Sequence, residues 1–311
     1  MEIKPDVHTN QGENLLRRIA GKPYRGAATA LRRRAASSLG QLRSPLYAEP
    51  GHYLSPIAGA KDVEQALRDQ PPLAGLDLCR EQQVALIQQL AECWHGLPDD
   101  PMPGWRYRSS AMFAPADATV YVAMLKHFRP QREIEVGSGF TSALALDTRD
   151  RFLPELKLTF IEPYPDRLHS LLREHDRDSC EIIPLAIQDV PLETFDALSS
   201  GDILFVDTSH VAKTGSDVNW IIFNVFPRLA HGVIVHIHDI FWPFEYPRQW
   251  VEDGRSWSEI YLLRAFLMYN SAFSILLFND WMWHHHPELL TALDPAFAGA
   301  TGSIWLRVNR D

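Results

Sequence analysis

The residues able to do chemistry stand at the ends of short apolar runs. Glu135 opens the segment EVGSGFT, with Gly137, Ser138, Gly139 and Thr141 behind it. Glu162 follows the run LTFI, and Asp189 follows the run ending at Ile183. Asp207 closes ILFV, with His210 three residues on, and His238 and Asp239 close GVIVHI. Glycines let the chain turn tightly and let another group approach the backbone. A helix starting behind them offers free N–H groups. A carboxylate at the tip of the next strand can accept two hydrogen bonds from a ribose diol. Imidazoles beside carboxylates suit a general base acting on a hydroxyl or amine, because they titrate near neutrality. The same His, His, Asp set suits a transition metal. Orienting a ligand is the third role open to Asp207, His210, His238 and Asp239. His236, deeper on the same strand face as His238, reads as a core histidine with its hydrogen bonds met.

These residues can meet only if the runs are strands of one sheet. The spacing predicts strands over Arg132 to Val136, Leu158 to Ile161, Glu181 to Ile183, Asp202 to Val206, Gly232 to Ile237, Phe273 to Phe278 and Ser303 to Val308. Helices are expected over Leu78 to Trp94, Ala116 to Phe128, Thr141 to Arg149, Asp166 to Glu174, Ser216 to Leu229 and Trp257 to Tyr269. The apolar spacing in the first of these makes one helical face. Ser216 or Asp217 is a plausible cap for the fifth. No helical pattern is read between the two closing strands. Short apolar strands alternating with helices mean a parallel sheet covered on both faces, and such sheets bind ligands at the strand carboxyl ends where strand order reverses.

The ligand can be narrowed. Glu135 is unwelcome beside a diphosphate. Glu135 suits a cationic amine instead. S-adenosylmethionine carries an amine and a sulfonium and no phosphate. Aromatic faces attract cations, which makes Tyr164 and Trp242 candidates at the sulfonium. Methyl transfer then needs alignment and exclusion of water.

The motifs resemble those of a known family. Ile134 to Thr141 (IEVGSGFT) looks like the first motif of class I S-adenosylmethionine-dependent methyltransferases, and Phe160 to Pro165 (FIEPYP) like the second. Ile203 to His210 and Val235 to Phe241 resemble the fourth and fifth strands of the methyltransferase-24 subgroup, and Pro243 to Pro247 and Gly254 to Trp257 are similar to it as well. The resemblance covers roughly residues 105–310. It implies a Rossmann-like α/β fold with seven strands, mostly parallel, the last inserted antiparallel. It implies cofactor contacts from Glu135, Gly137, Ser138, Gly139, Thr141, Glu162 and Asp207, with Gln188 and Asp189 where the adenine is read. Catalytic roles fall to His210, His238, Asp239 and Tyr164. Some small-molecule O-methyltransferases hold a divalent metal at this place. No metal is required here, and His210, His238 and Asp239 would hold one. Ser109 to Ala111 depart from the relatives, which often carry an Asn there.

Composition sets the outer limits. The chain has 311 residues, 46% hydrophobic and 22% charged, with a net charge of -9, so nothing draws it to nucleic acid as a whole. A basic stretch from Arg17 to Arg43 is the exception and reads as a solvated helical face. The opening residues lack the apolar run of a signal peptide. The apolar stretch from Ala265 to Asn279 is too short to span a bilayer. Cys79, Cys93 and Cys180 match no zinc spacing and read as free thiols, so a cytoplasmic protein is expected. Residues 1–105, punctuated by Pro and Gly, form an N-terminal helical cap or lid, and 106–311 form the cofactor-binding domain. His284, His285 and His286 are placed in a loop. The expected function is methyl transfer to an O or N acceptor on a small molecule. Two alternatives stand beside it. The cofactor itself could be the substrate, cyclised to azetidine-2-carboxylate with release of methylthioadenosine, or the fold could be a silent binding protein. A homodimer is allowed.

Overall fold

Pairing of the apolar runs builds one sheet. Its strands are β1 (Arg132–Val136), β2 (Lys157–Ile161), β3 (Glu181–Ile183), β4 (Ile203–Val206), β5 (Ile234–His238), β6 (Phe273–Phe278) and β7 (Ser303–Val308). The order is β3-β2-β1-β4-β5-β7-β6, with β7 antiparallel to both neighbours and the other pairings parallel. This computed structural model describes residues 47–68, 73–93, 105–106, 113–294 and 301–310. It separates into two units, Met1–Gly59 and Ala60–Asp311, and the sheet lies wholly in the second. The basic stretch 17–43, the break at 98–104 and Ser109 to Ala111 lie outside the described residues.

Strand register positions the site. Val136 lies opposite Ile161 on one side and Val206 on the other. The residues following each strand are therefore neighbours. Gly137 N–H donates to Ile161 O at 3.0 Å, and Asp207 N–H donates to Val136 O at 2.9 Å. The order reverses between β1 and β4, which opens a crevice beyond their carboxyl ends.

Helices cover the sheet. Helix α1 spans Ala60–Ala66, α2 Arg80–Cys93, α3 Pro115–Phe128 and α4 Phe140–Phe152. Helix α2, assigned from sequence to the cap, packs on α3 and β6 and buries Ile87 and Leu90. Its Gln83 Oε1 accepts from Phe278 N–H at 2.7 Å. After β2 come α5 (Asp166–Leu171) and the single turn α6 (Asp176–Ser179). The expected helix from Ser216 is present but irregular. Ser216 caps α7 (Asp217–Trp220) by accepting from Asn219 N–H at 3.2 Å. A π turn over Ile221–Val225 and a 3₁₀ turn over Phe226–Arg228 follow. Pro227 lacks the N–H that an α-helix would need there.

Helices α8 (Arg248–Glu252) and α9 (Glu259–Leu267) precede β6. Two more, α10 (Asn279–His285) and α11 (Pro287–Leu293), occupy the stretch between β6 and β7, where the sequence shows no helical pattern. Each has only seven residues, and the Pro287 start interrupts the pattern, so no apolar period shows in the sequence. Their buried faces are Trp281 and Met282, then Leu290 and Leu293. His284 and His285 belong to α10, not to a loop, and their Nδ1 atoms bond the carbonyls of Asp280 and Trp281 at 2.8 and 2.9 Å. No helix among the described residues is long and apolar enough to cross a membrane.

Candidate active site

The crevice between β1 and β4 is a cavity of 670 Å³. One wall is the loop from Gly137 to Thr141 with Glu162 and Arg167, and the other carries Phe241, Trp250, Arg255 and Trp257. Asp207, His210, His238 and Asp239 lie between them.

The glycine loop is built by close approach. Gly137 has φ +87, and a Cβ there would lie 1.7 Å from the Asp207 carbonyl oxygen. Any side chain would therefore push the β1 and β4 loops apart. Gly139 N–H donates to Ser142 Oγ at 2.9 Å, which fixes the start of α4. The Glu162 carboxylate ties the two loops together, taking Ser138 N–H at 3.1 Å on one oxygen and Tyr164 N–H at 2.9 Å on the other. A carboxylate has about four acceptor sites, so capacity remains for a ligand diol. Ser138 Oγ and Thr208 Oγ1 are buried without hydrogen-bond partners, and both residues line the cavity.

The acid and histidine residues converge as their strand-end positions require. His210 Nε2 lies 3.3 Å from Asp207 Oδ1 and 3.4 Å from Asp239 Oδ2. His238 Nδ1 lies 3.6 and 3.5 Å from the same two carboxylates. Each ring is braced from behind. His210 Nδ1 bonds Glu259 Oε2 at 2.9 Å, and His238 Nε2 pairs with Asp117 Oδ2 at 3.7 Å. Asp117 is itself held by Thr301 Oγ1, Ser303 Oγ at 2.7 Å, Gly302 N–H at 3.0 Å and Asn279 Nδ2 at 3.0 Å. His210 and Asp239 have φ of +59 and +58. Left-handed backbone at two non-glycine residues of one cluster is local strain, held by the surrounding bonds.

Charge balance tunes these groups. Burial disfavours the His210 cation, yet Asp207 and Glu259 carry its pKa up to about 10. Burial is likewise outweighed at His238 by Asp239, Asp207 and Asp117, which hold it well above the usual imidazole range. Burial lifts Asp239 to about 6, with His238 and His210 pulling against it. Burial would also lift Asp117, but His238, Thr301 and Gly302 bring it down to about 2.

Other expected site residues fall elsewhere. Tyr164 is 83% exposed and Trp242 packs on Phe278 and His285, so neither lines the cavity. The aromatic wall is Phe113, Phe241, Trp250 and Trp257 instead. Asp189 lies in a short 3₁₀ turn after β3, outside the lining, and Gln188 Nε2 donates to Gly215 O. Glu135 is fully buried beneath the glycine loop, bonded to Thr141 Oγ1, and burial holds its pKa well above the usual carboxylate range. Its Oε2 has no partner. His236 is a core residue stacked on Phe205, with burial and the His238 charge lowering its pKa to about 3. Its Nδ1 is unbonded, so its hydrogen bonds are not fully met as expected. Sequence reasoning missed Asp117, Glu259, Arg167 and Arg255. Asp117 and Glu259 sit in the first turns of helices, where an acid ordinarily reads as a match to the helix dipole.

Strand order, the antiparallel β7 and the glycine loop at the switch point define a class I methyltransferase fold. Residues 134–240 match the family described as methyltransferase domain. An uncharacterized protein of Archaeoglobus fulgidus is 30% identical over 167 residues, which is 50% of this chain and 75% of that protein. The chain belongs to the class I S-adenosylmethionine-dependent methyltransferase family. Among solved structures, the O-methyltransferase TomG of Streptomyces achromogenes, in complex with S-adenosylmethionine, is 14% identical with a TM-score of 0.42, covering 80% of this chain and 95% of that one. The S-adenosylhomocysteine-bound Podospora anserina methyltransferase PaMTH1 is 18% identical with a TM-score of 0.40, covering 76% and 98%.

Proposed function

We propose that this chain binds S-adenosylmethionine at the Gly137 loop and transfers its methyl group to an oxygen or nitrogen of a small molecule. The observation that carries the reading is one cavity with a cofactor cradle on one wall and a buried acid–histidine cluster beside it. The cradle fits the cofactor. Glu162 has spare acceptor capacity for the ribose, and Ser138 Oγ and Thr208 Oγ1 are buried groups in want of partners. Asp189 remains a proposed adenine contact only if a bound ligand extends beyond the cavity lining. Glu135 acts from beneath the loop, through Thr141, and not by direct contact.

The bond that breaks is methyl to sulfur, and the bond that forms is methyl to the acceptor. The acceptor loses a proton, and S-adenosylhomocysteine is released. Both imidazoles are held as cations by their carboxylates, so neither has a free lone pair at neutral pH. Without a metal, the acceptor proton goes to Asp239, the carboxylate lifted to about 6, with His210 and His238 stabilising the charge.

A second reading is favoured by the donor set. Even with both imidazoles protonated, Asp117, Asp207, Asp239 and Glu259 exceed their charge by two (four minus two). Asp207, His210 and Asp239 each offer one ligand atom, all within 4.8 Å of one another, and His210 Nε2 lies 3.3 and 3.4 Å from the two carboxylates, close to the ligand–ligand edge of about 3.3–3.4 Å for ligands at about 2.0–2.1 Å. His210 has the Glu259 carboxylate on its outer nitrogen at 2.9 Å, the usual support for a metal ligand. Asp207, His210 and Asp239 would hold a divalent ion with a position left open, and the ion would supply Lewis acidity toward an acceptor oxygen, with His238 beside the carboxylates but outside the donor set.

One assay tests both. The protein is incubated with S-adenosylmethionine alone, then with hydroxyl and amine acceptors, before and after treatment with a chelator, and products are read by mass spectrometry. The expected result is S-adenosylhomocysteine and a methylated acceptor only when acceptor is present. Methylthioadenosine and azetidine-2-carboxylate from the cofactor alone would replace this reading with cyclisation. Absence of any cofactor binding by calorimetry would leave a silent binding protein. Full activity in metal-free protein would sink the metal.

A further inference from the structure

Arg255 is the one guanidinium at the end of the cavity away from the glycine loop, among the described residues. It lies over two indoles, 4.3 Å from the Trp250 ring centre and 4.8 Å from that of Trp257. Its own N–H donates to Trp250 O at 3.1 Å, which closes the turn after α8 onto the same tryptophan. Trp257 in turn lies against His210 at 4.4 Å between ring centres, so the stack is continuous with the acid–histidine cluster.

The two indoles stand at 80° to each other, so the planar guanidinium can lie flat on only one of them and turns an edge to the other, and the rest of its five-donor fork is left for a ligand. No carboxylate among the described residues lies within ion-pair distance of Arg255. The acids nearest in sequence are engaged elsewhere, Glu252 with Arg248 and Asp253 with Gln249. This sets Arg255 apart from Arg106, Arg149, Arg173 and Arg228, each of which is neutralised by acids. Arg167 also lines the cavity, but it flanks Gly139 at the cofactor end. The stacked tryptophan faces are taken by a protein cation, so they are not the receptor for a sulfonium.

We propose that Arg255 receives an oxyanion of the methyl acceptor, which makes the substrate a small molecule bearing a carboxylate or a phosphate group. The proposal rests on reading the cavity as a methyl-transfer site. A planar fork held by two rings is pre-organised for bidentate recognition of such groups, because little side-chain freedom remains to be lost. The oxyanion, anchored there, places the remainder of the acceptor between Arg255 and the cluster of Asp207, His210, His238 and Asp239.

The test uses the full chain saturated with S-adenosylhomocysteine. Benzoate, inorganic phosphate and the uncharged control benzamide are titrated by calorimetry or by NMR. Benzoate or phosphate should bind and benzamide should not. Arg255→Gln should weaken the anion at least tenfold while its Kd for S-adenosylhomocysteine stays within twofold. Arg255→Lys, which keeps the charge without the fork, should fall between. Preference for benzoate assigns carboxylate acceptors, and preference for phosphate assigns phosphorylated ones. Equal anion binding by the native chain and Arg255→Gln, or no anion binding to the complex, overturns the proposal. Failure of S-adenosylhomocysteine itself to bind overturns the methyl-transfer reading instead, and the same titrations on the free protein then decide Arg255 separately.

Discussion

Replacing Glu162 by Gln is the sharpest probe of the cofactor wall. Its two carboxylate oxygens each take one backbone donor, from Ser138 at 3.1 Å and from Tyr164 at 2.9 Å. Glutamine has one oxygen, so its amide nitrogen must face one of those N–H groups. One loop bond is lost in either orientation, two donors are set against each other, and the charge that should attract the ribose hydroxyls is gone. A hydrogen bond to a charged acceptor contributes about 1.5–3 kcal/mol, which is about a 10- to 150-fold rise in Kd. Calorimetric titration with S-adenosylhomocysteine reads this directly. Glu162→Asp keeps the charge and should recover part of the loss. If Glu162→Gln binds within threefold of the native chain, the carboxylate is not the ribose acceptor and the cradle has been misplaced.

Other consequences concern stability and turnover. Burial raises Glu133 from its ordinary 4.5 to about 7, so the folded state favours the protonated acid and stability should fall as pH rises through that window. The gap corresponds to about 3 kcal/mol. Glu133→Gln should therefore be near neutral at pH 5 and stabilising at pH 8 in urea titrations, and an equal effect at both would refute the assignment. Asp176 is fully buried between Arg106 and Arg149. Asp176→Asn leaves two guanidiniums under-neutralised and should cost about 3–5 kcal/mol; a loss under about 1 kcal/mol would show that water already screens them. Asp117→Asn should lower turnover at least tenfold with S-adenosylhomocysteine affinity unchanged, and unaltered turnover would remove Asp117 as the positioning group for His238.

Much of the sheet was legible because its strands are buried on both faces and read as continuous apolar runs. Strands β1, β3, β6 and β7 fall on the residues expected, and β2, β4 and β5 within two residues. The near half of the site was legible for the same reason, since Gly137, Glu162, Asp207, His238 and Asp239 are fixed by where strands stop. The far half depends on contacts distant in sequence. Asp117 meets its partners at 301–303 across the whole domain, and Glu259 meets His210 across 49 positions. No local period carries either. The aromatic wall was misjudged because nearness to a strand tip does not say which way a ring points. Tyr164 turns to solvent, whereas Trp250 and Trp257 reach back from the later loop.

The position of β7 has a consequence for when the site comes into being. Among the described residues β6 pairs only with β7, and β7 is the strand that joins it to β5. Three of the four donors that hold Asp117 behind His238 come from residues 301–303, at the entrance to that same strand. During synthesis these residues leave the ribosome after every other strand. A chain with β1 to β5 already assembled can shape the glycine crevice, but the 301–303 donors that hold Asp117 behind His238 are not yet in place.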